Sequence, residues 1–285
     1  MTTLTAQAGP AARRTVPLTR LYRAELRWIF RRPRTLVVLA LLALIPAIIA
    51  IALAVGGSPR GGPNAQDLLS AAAGNALVLP IAALGTGLAL LMPLTTAMSA
   101  GDAFAGELAH GTLRGWLLAP VSRGRLLAVK ALGVATLVLT AVVLMSVVGV
   151  IAGLIMNGTG GLFTLGGTTL SFPAALGKIA IAAGWVALQL WAVGAVALAI
   201  SACTEHPMLV VVSVLAGVIV STVLLQLSAV AWLHPYLLPA SWDSLADVLR
   251  DPMPGSGLGE GALRAGCYIV IGLSLAYARV TTRDG

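Results

Sequence analysis

Seven ionisable side chains gather in one stretch of an otherwise apolar chain. Between Gly101 and Lys130 stand Asp102, Glu107, His110, Arg114, Arg123, Arg125 and Lys130, with long apolar runs on either side. The stretch is too polar to cross a bilayer. It is also too apolar for a loose linker, because Phe104, Leu108, Leu113, Trp116, Leu117 and Leu118 need a surface to cover them. Charges of both signs beside uncovered apolar residues suit docking onto a soluble partner rather than the making and breaking of bonds.

Residues for catalysis are missing from the pattern. His110, His206 and His234 fall in separate loops, two on one side of the membrane and one on the other, so they cannot share a site. Cys203 and Cys267 belong to no CxxC or Cys/His cluster, so neither a metal site nor a disulfide framework is expected. A phosphate-binding loop would read GxxxxGK[ST]. The nearest match is Gly177-Lys178, which lacks the first glycine and is followed by Ile179. No catalytic residue, metal or cofactor is therefore expected in this chain.

The elements around the polar stretch belong to a membrane protein. Of 285 residues, 58% are hydrophobic and 10% charged, with a mean hydropathy of +0.96. An ordinary globular chain carries about 25% charged residues. A formal charge of +8 might point to nucleic acid, but eight of the 18 basic residues precede residue 35. Basic residues ahead of a first span read as a topology signal facing anionic lipid, not as a nucleic-acid site. The expected fold is an all-α integral membrane protein with one transmembrane domain over 18–285, behind a disordered tail over 1–17.

An amphipathic interfacial helix is expected over 18–33. Leu18, Leu21, Tyr22, Leu26 and Ile29 form one face, and Arg20, Arg23, Arg27 and Arg31 form another, suited to membrane lipid. Pro33 then breaks it. Six spans follow at about 36–55, 76–100, 126–153, 174–201, 207–230 and 262–280, each near the roughly 20 residues that a bilayer core requires. Pro46, Pro80 and Pro93 predict kinks in the first two. With the N-terminus inside, fourteen Lys and Arg residues fall on the cytoplasmic side and four outside. Both termini and the 101–130 stretch are thus expected in the cytoplasm. The outer segments 56–70 and 156–172 are Gly-rich. Residues 231–256 hold Trp232, His234, Tyr236 and Trp242, and read as an outer cap in which Ser241 starts a helix through Arg250.

Within 101–130, Asp102 and Glu107 sit on a helix leaving the second span, and Gly111 ends it. Thr112 caps a second helix from Leu113 to Leu118, Pro120 stops that one, and Ser122 caps the third span. The ordered set Glu107, Gly111-Thr112-Leu113, Pro120-Val121-Ser122-Arg123 and Lys130 resembles the permease subunits of the ABC-2 transporter family. The basic helix at 18–32 and the outer hairpin at 231–256 are similar to the same family, so the resemblance covers about 18 to 280. One departure is that Leu108 and Ala109 follow the motif glutamate where members often have a basic residue.

The resemblance implies the membrane half of an ATP-driven exporter in the plasma membrane. It would pair with a second copy or a related permease and with two ATPase subunits, which would hold the ATP and Mg. The 101–118 hairpin would sit in a groove of the ATPase as its coupling element. Glu107 would be an acidic anchor, Gly111-Thr112 the turn, and Arg114 and Arg123 contacts to ATPase or lipid. The predicted span interiors carry no ionisable group apart from Lys178 near the outer end of span four, which fits an external motor rather than ion coupling. Gln189 and Gln226, with Trp185 nearby, read either as a substrate-facing wall or, more commonly, as helix-to-helix hydrogen bonding. An uncharged pathway favours an apolar or amphiphilic substrate, lipid-like or drug-like. The alternatives are a permease of a maturation or immunity complex, and a membrane scaffold without turnover.

Overall fold

The structure is a computed structural model that describes residues 17–56, 75–76, 78–109, 122–158, 164 and 168–282. Gly111, Thr112, Leu113, Arg114 and Pro120 of the expected hairpin lie outside the described residues. So do residues 1–16 and much of the two Gly-rich outer segments.

The described elements are helical. Helix α1 covers Leu18–Phe30 and α2 covers Pro33–Ala54. Pro33 serves as the first residue of α2, where its missing N–H costs nothing. Helix α3 covers Val78–Ala89, and α4 covers Leu91–Ala109. Helix α5 is Arg123–Asn157, α6 is Phe172–Cys203, α7 is Pro207–Leu225 and α8 is Gly255–Thr282. Five helices (α2, α5, α6, α7 and α8) are long and apolar enough to cross a membrane, and α3 with α4 makes a sixth if that bent pair is one span. At 35 residues α5 extends about 52 Å, well beyond a hydrocarbon core of roughly 30 Å. Its first turns can therefore stand outside the core.

Three boundaries differ from expectation. The second span is not one rod over 76–100: it bends by 55° at Leu90, whose backbone leaves the helical region. Pro93 lies in the first turn of α4, where the missing N–H and the ring are tolerated. The fifth span stops at Leu225 rather than near 230, because the chain folds back and the His234 ring Nε2 lies 3.0 Å from the Leu224 carbonyl. Residues Ser228–Tyr236 and Leu238–Leu249 form two 3-10 helices, so Ser241 does not cap an α-helix. Its hydroxyl is buried and donates back to the Leu238 carbonyl at 3.5 Å.

Helix α6 is the most buried of the five single-helix spans and holds the bundle together. Its main partner is α8, reached through backbone contact: a Cβ on Gly272 would lie 2.7 Å from the Ala195 carbonyl carbon. Helix α7 follows α6 after a short turn yet rests chiefly on α4. Two apolar clusters fill the bundle. One gathers Leu79, Leu84, Met92, Met145 and Leu249, and the other Phe104, Leu126, Val134, Leu198 and Val210. The outer faces of α2, α7 and α8 carry exposed Leu41, Ile48, Val212, Val220, Leu263 and Val270, as spans in contact with lipid or another subunit do.

Candidate functional site

Where α1, α4 and α5 meet, charged groups are buried together. Helix α1 lies across α5 with its apolar stripe inward, following the 3.6-residue period: Tyr22, Glu25 and Ile29 fall in line. Tyr22 and Thr136 share a hydrogen bond of 2.5 Å between their hydroxyls. One turn along, Glu25 meets Lys130 of α5, whose Nζ donates to both carboxylate oxygens at 3.0 Å. The same Nζ donates to Glu107 Oε1 from α4. Lys130 is fully buried, and Glu25 and Glu107 are 5% and 7% exposed. A lone buried ammonium would lose its proton or unfold its surroundings. Here two carboxylates hold the charge, and the Trp28 ring lies 5.3 Å away.

A second cluster adjoins it. Asp102 Oδ2 accepts from Arg32 at 2.7 Å and from Arg34. The Arg32 guanidinium also stacks 3.2 Å from the centre of the Trp28 ring. Burial pulls the Arg32 pKa below its ordinary value, and the nearby Asp102 carboxylate opposes that shift. The two clusters together hold three carboxylates and three cations, from α1, the start of α2, α4 and α5.

The backbone that carries the acids is itself irregular. Asp102–Gly106 winds as a π-helix, one turn before Glu107. The wider turn frees amide groups that an α-helix would pair. Ser201 of α6 takes them: its hydroxyl accepts from Phe104 N at 3.3 Å and Ala105 N at 3.0 Å, and donates to the Gly101 carbonyl at 3.2 Å. Such π-bulges recur at functional sites.

Glu107, expected to face a soluble partner, thus turns inward to Lys130. Asp102 reaches the arginines that link α1 and α2. Arg123, expected on partner or lipid, donates to the Val280 and Thr281 carbonyls at 3.2 and 2.5 Å, capping the end of α8. Arg20, Arg23 and Arg27 on α1 and Arg31 just past its end are exposed. Trp185 and Gln189 are both buried. Trp185 Nε1 donates to the Leu258 carbonyl and Gln189 Nε2 to the Gly261 carbonyl, each at 3.0 Å, which ties α6 to α8. Gln226 is exposed at the end of α7, not within a span. Lys178 hangs the end of the Leu238–Leu249 segment on α6, donating to the Val248 and Arg250 carbonyls. Glu25 and Arg32 were not among the expected site residues. The signal for Glu25 was a carboxylate set in the apolar stripe of an otherwise basic helix. Among the described residues, no group of three His, Cys, Asp or Glu side chains is placed to hold a metal ion.

The sequence model of the ABC-2 family transporter proteins matches residues 19–250. No curated protein matches the chain.

Proposed function

The chain belongs to the ABC-2 family of transporter proteins, and from that premise we propose that it is the membrane half of an ATP-driven exporter. As a multi-pass membrane permease of the ABC type it works with an ABC ATPase component. The proposal adds the rest: two ATPase copies that bind ATP and Mg, a second permease copy or a related one, and outward movement of an apolar or amphiphilic substrate across the plasma membrane. Both termini and the 101–130 stretch lie on the cytoplasmic side, and the arginine face of α1 rests on anionic headgroups.

The observation that carries this reading is the buried network of Glu25, Glu107 and Lys130. ATPase closure pushes on the 101–118 stretch, the expected coupling element. Glu107 lies in that stretch. Its bond to Lys130 passes the displacement to α5, Glu25 passes it to α1, and Asp102 passes it through Arg32 and Arg34 to the start of α2. A buried ion-paired network in a low-dielectric setting resists separation far more than surface ion pairs do. Spans one to three therefore tilt as one body. In this arrangement Glu107 acts from inside, bound to Lys130, rather than touching the ATPase.

The test is a mild-detergent pull-down of this chain from its native host, followed by ATPase and transport assays on the complex. A stoichiometric Walker-type ATPase is expected. Glu107→Gln and Gly111→Val should cut substrate-stimulated hydrolysis at least tenfold, about 1.4 kcal/mol or more of lost coupling. Absence of any ATPase, or variants that couple at the wild-type rate, would overturn the proposal.

A further inference from the structure

A groove opens on the side of the bundle where α5, α6 and α8 meet. Leu132 and Leu139 of α5, Trp191 and Leu198 of α6, and Ile269 and Leu273 of α8 are among its walls. Leu132, Leu139 and Trp191 are also exposed, so the groove is open to whatever surrounds the spans. Its free volume is about 370 Å³. A dry apolar cavity of about 150 Å³ takes one benzene, six carbons. In proportion this groove takes roughly fifteen carbons, the content of one acyl chain. Along α5 the lining runs from Ala131 to Leu139, eight residues on, or about 12 Å. One leaflet's share of a roughly 30 Å hydrocarbon core is about 15 Å, so the groove matches a chain in length as well as in volume.

The lining decides what can enter. Among the described residues it holds no ionisable side chain. Its two polar side-chain groups are already engaged. The Thr136 hydroxyl donates to the Leu132 carbonyl at 2.7 Å and meets the Tyr22 hydroxyl, and Trp191 Nε1 donates to the Ala135 carbonyl at 3.1 Å. A polar occupant would lose its water and find nothing to bond. An unfilled apolar groove forfeits the dispersion contacts of its walls. The Tyr22 bond to Thr136 also sets α1 beside this wall. Arg20, Arg23 and Arg27 of α1 are exposed, and none of the ion pairs among the described residues includes them. Glu25, the acid of the same helix, is buried and held by Lys130. The exposed face of α1 is therefore positive, and Arg23 is next in sequence to Tyr22. One lipid, head and tail, spans about 20 Å, half of a bilayer of roughly 40–45 Å. A chain in the groove thus leaves its head within reach of α1.

We propose that this groove holds one acyl chain of a resident acidic phospholipid, whose head rests on the arginines of α1. The site requires only that α5, α6 and α8 lie in a bilayer. It therefore goes beyond the exporter reading and does not rest on it.

The experiment uses the full chain in phosphatidylcholine nanodiscs. A trace of phosphatidylglycerol carrying a diazirine on one acyl chain is compared with phosphatidylcholine carrying the same chain. The exposed faces of α2 and α7, at Ile48 and Val220, report the background from bulk lipid. Light-induced labels are expected on 131–139, 191–198 and 269–273 above that background. Phosphatidylglycerol should be favoured about fivefold, the ratio set by one basic residue at an anionic head. Ala135→Phe, at a half-buried position in the lining, should bring the groove labels down to background. Ala131→Phe serves the same purpose if that chain does not fold. Arg23→Gln with Arg27→Gln, both exposed, should remove the preference for the acidic lipid. Groove labels at background in the unaltered chain, or labels that the filling variants do not lower, would overturn the site. So would equal labelling by the two lipids, or a preference that survives the arginine changes. Cross-links from groove residues to another chain in place of lipid labels would mean that a second copy covers the groove, and would overturn it too. A permease without an ATPase partner would end the exporter reading and leave these labels in place. Absence of the labels from a complex that still hydrolyses ATP and transports would do the reverse.

Discussion

Lys130 shows how little a residue's place in a pattern says about its partners. It lies 105 positions from Glu25 and 23 from Glu107, and holds both with no exposed surface of its own. Lys130→Met would strand two carboxylates in the core. The expected cost is about 3–5 kcal/mol, seen as a large drop in the thermal unfolding midpoint in nanodiscs. Combining Glu25→Gln, Lys130→Met and Glu107→Gln removes the stranded charge and should restore most of that stability. The triple variant should still fail to couple ATP hydrolysis to transport. If it couples normally, the network is scaffolding alone. Asp102→Asn offers a contrast, since Arg34 is half in solvent: its stability cost should stay within about 1 kcal/mol. Some of this was legible in the sequence. Glu107 and Lys130 were singled out by their motif, and Glu25 betrays itself by sitting in an apolar stripe. That the three converge was not legible, because no local rule relates positions so far apart.

At the scale of elements, the geometry depends on close approach and on borrowed hydrogen bonds. Helix α1 reaches α5 over Gly133, where an added Cβ would come within 3.0 Å of the Glu25 and Ile29 side chains. Gly133→Val should therefore lift α1 and part Tyr22 from Thr136. Faster hydrogen exchange along α1 in that variant is the expected reading, and exchange at the wild-type rate would count against it. The π segment depends on Ser201. Ser201→Ala leaves the Phe104 and Ala105 amides without their acceptor, at about 1–3 kcal/mol. Faster hydrogen exchange at those two amides is the expected reading. Pro80 and Pro93 announced a kink in the second span, though neither set its position at Leu90. Ser201 reads in sequence as one small polar residue in an apolar helix, and nothing local distinguishes it from a packing residue.

For the whole molecule, the skew of fourteen basic residues against four sets the expected orientation. In a chain with Cys203 and Cys267 replaced by serine, an impermeant maleimide should label Trp232→Cys in intact cells, and Arg27→Cys only after the membrane is opened. The reverse pattern would invert the exporter reading. What the sequence determined by itself was the helical class, a set of five to six apolar helices and the family. These rest on composition, run length and local order, which a bilayer tests one segment at a time. Which helices touch was decided by the tertiary structure: α6 against α8, α7 against α4, and α1 laid over α5. So was the inward turn of Glu107 and the hydrogen bonds by which Trp185 and Gln189 tie α6 to α8. Those outcomes depend on which small residues let backbones meet and on the requirement that every buried charge and freed amide find a partner. Such conditions are satisfied jointly across the bundle, so they leave little trace in any single stretch.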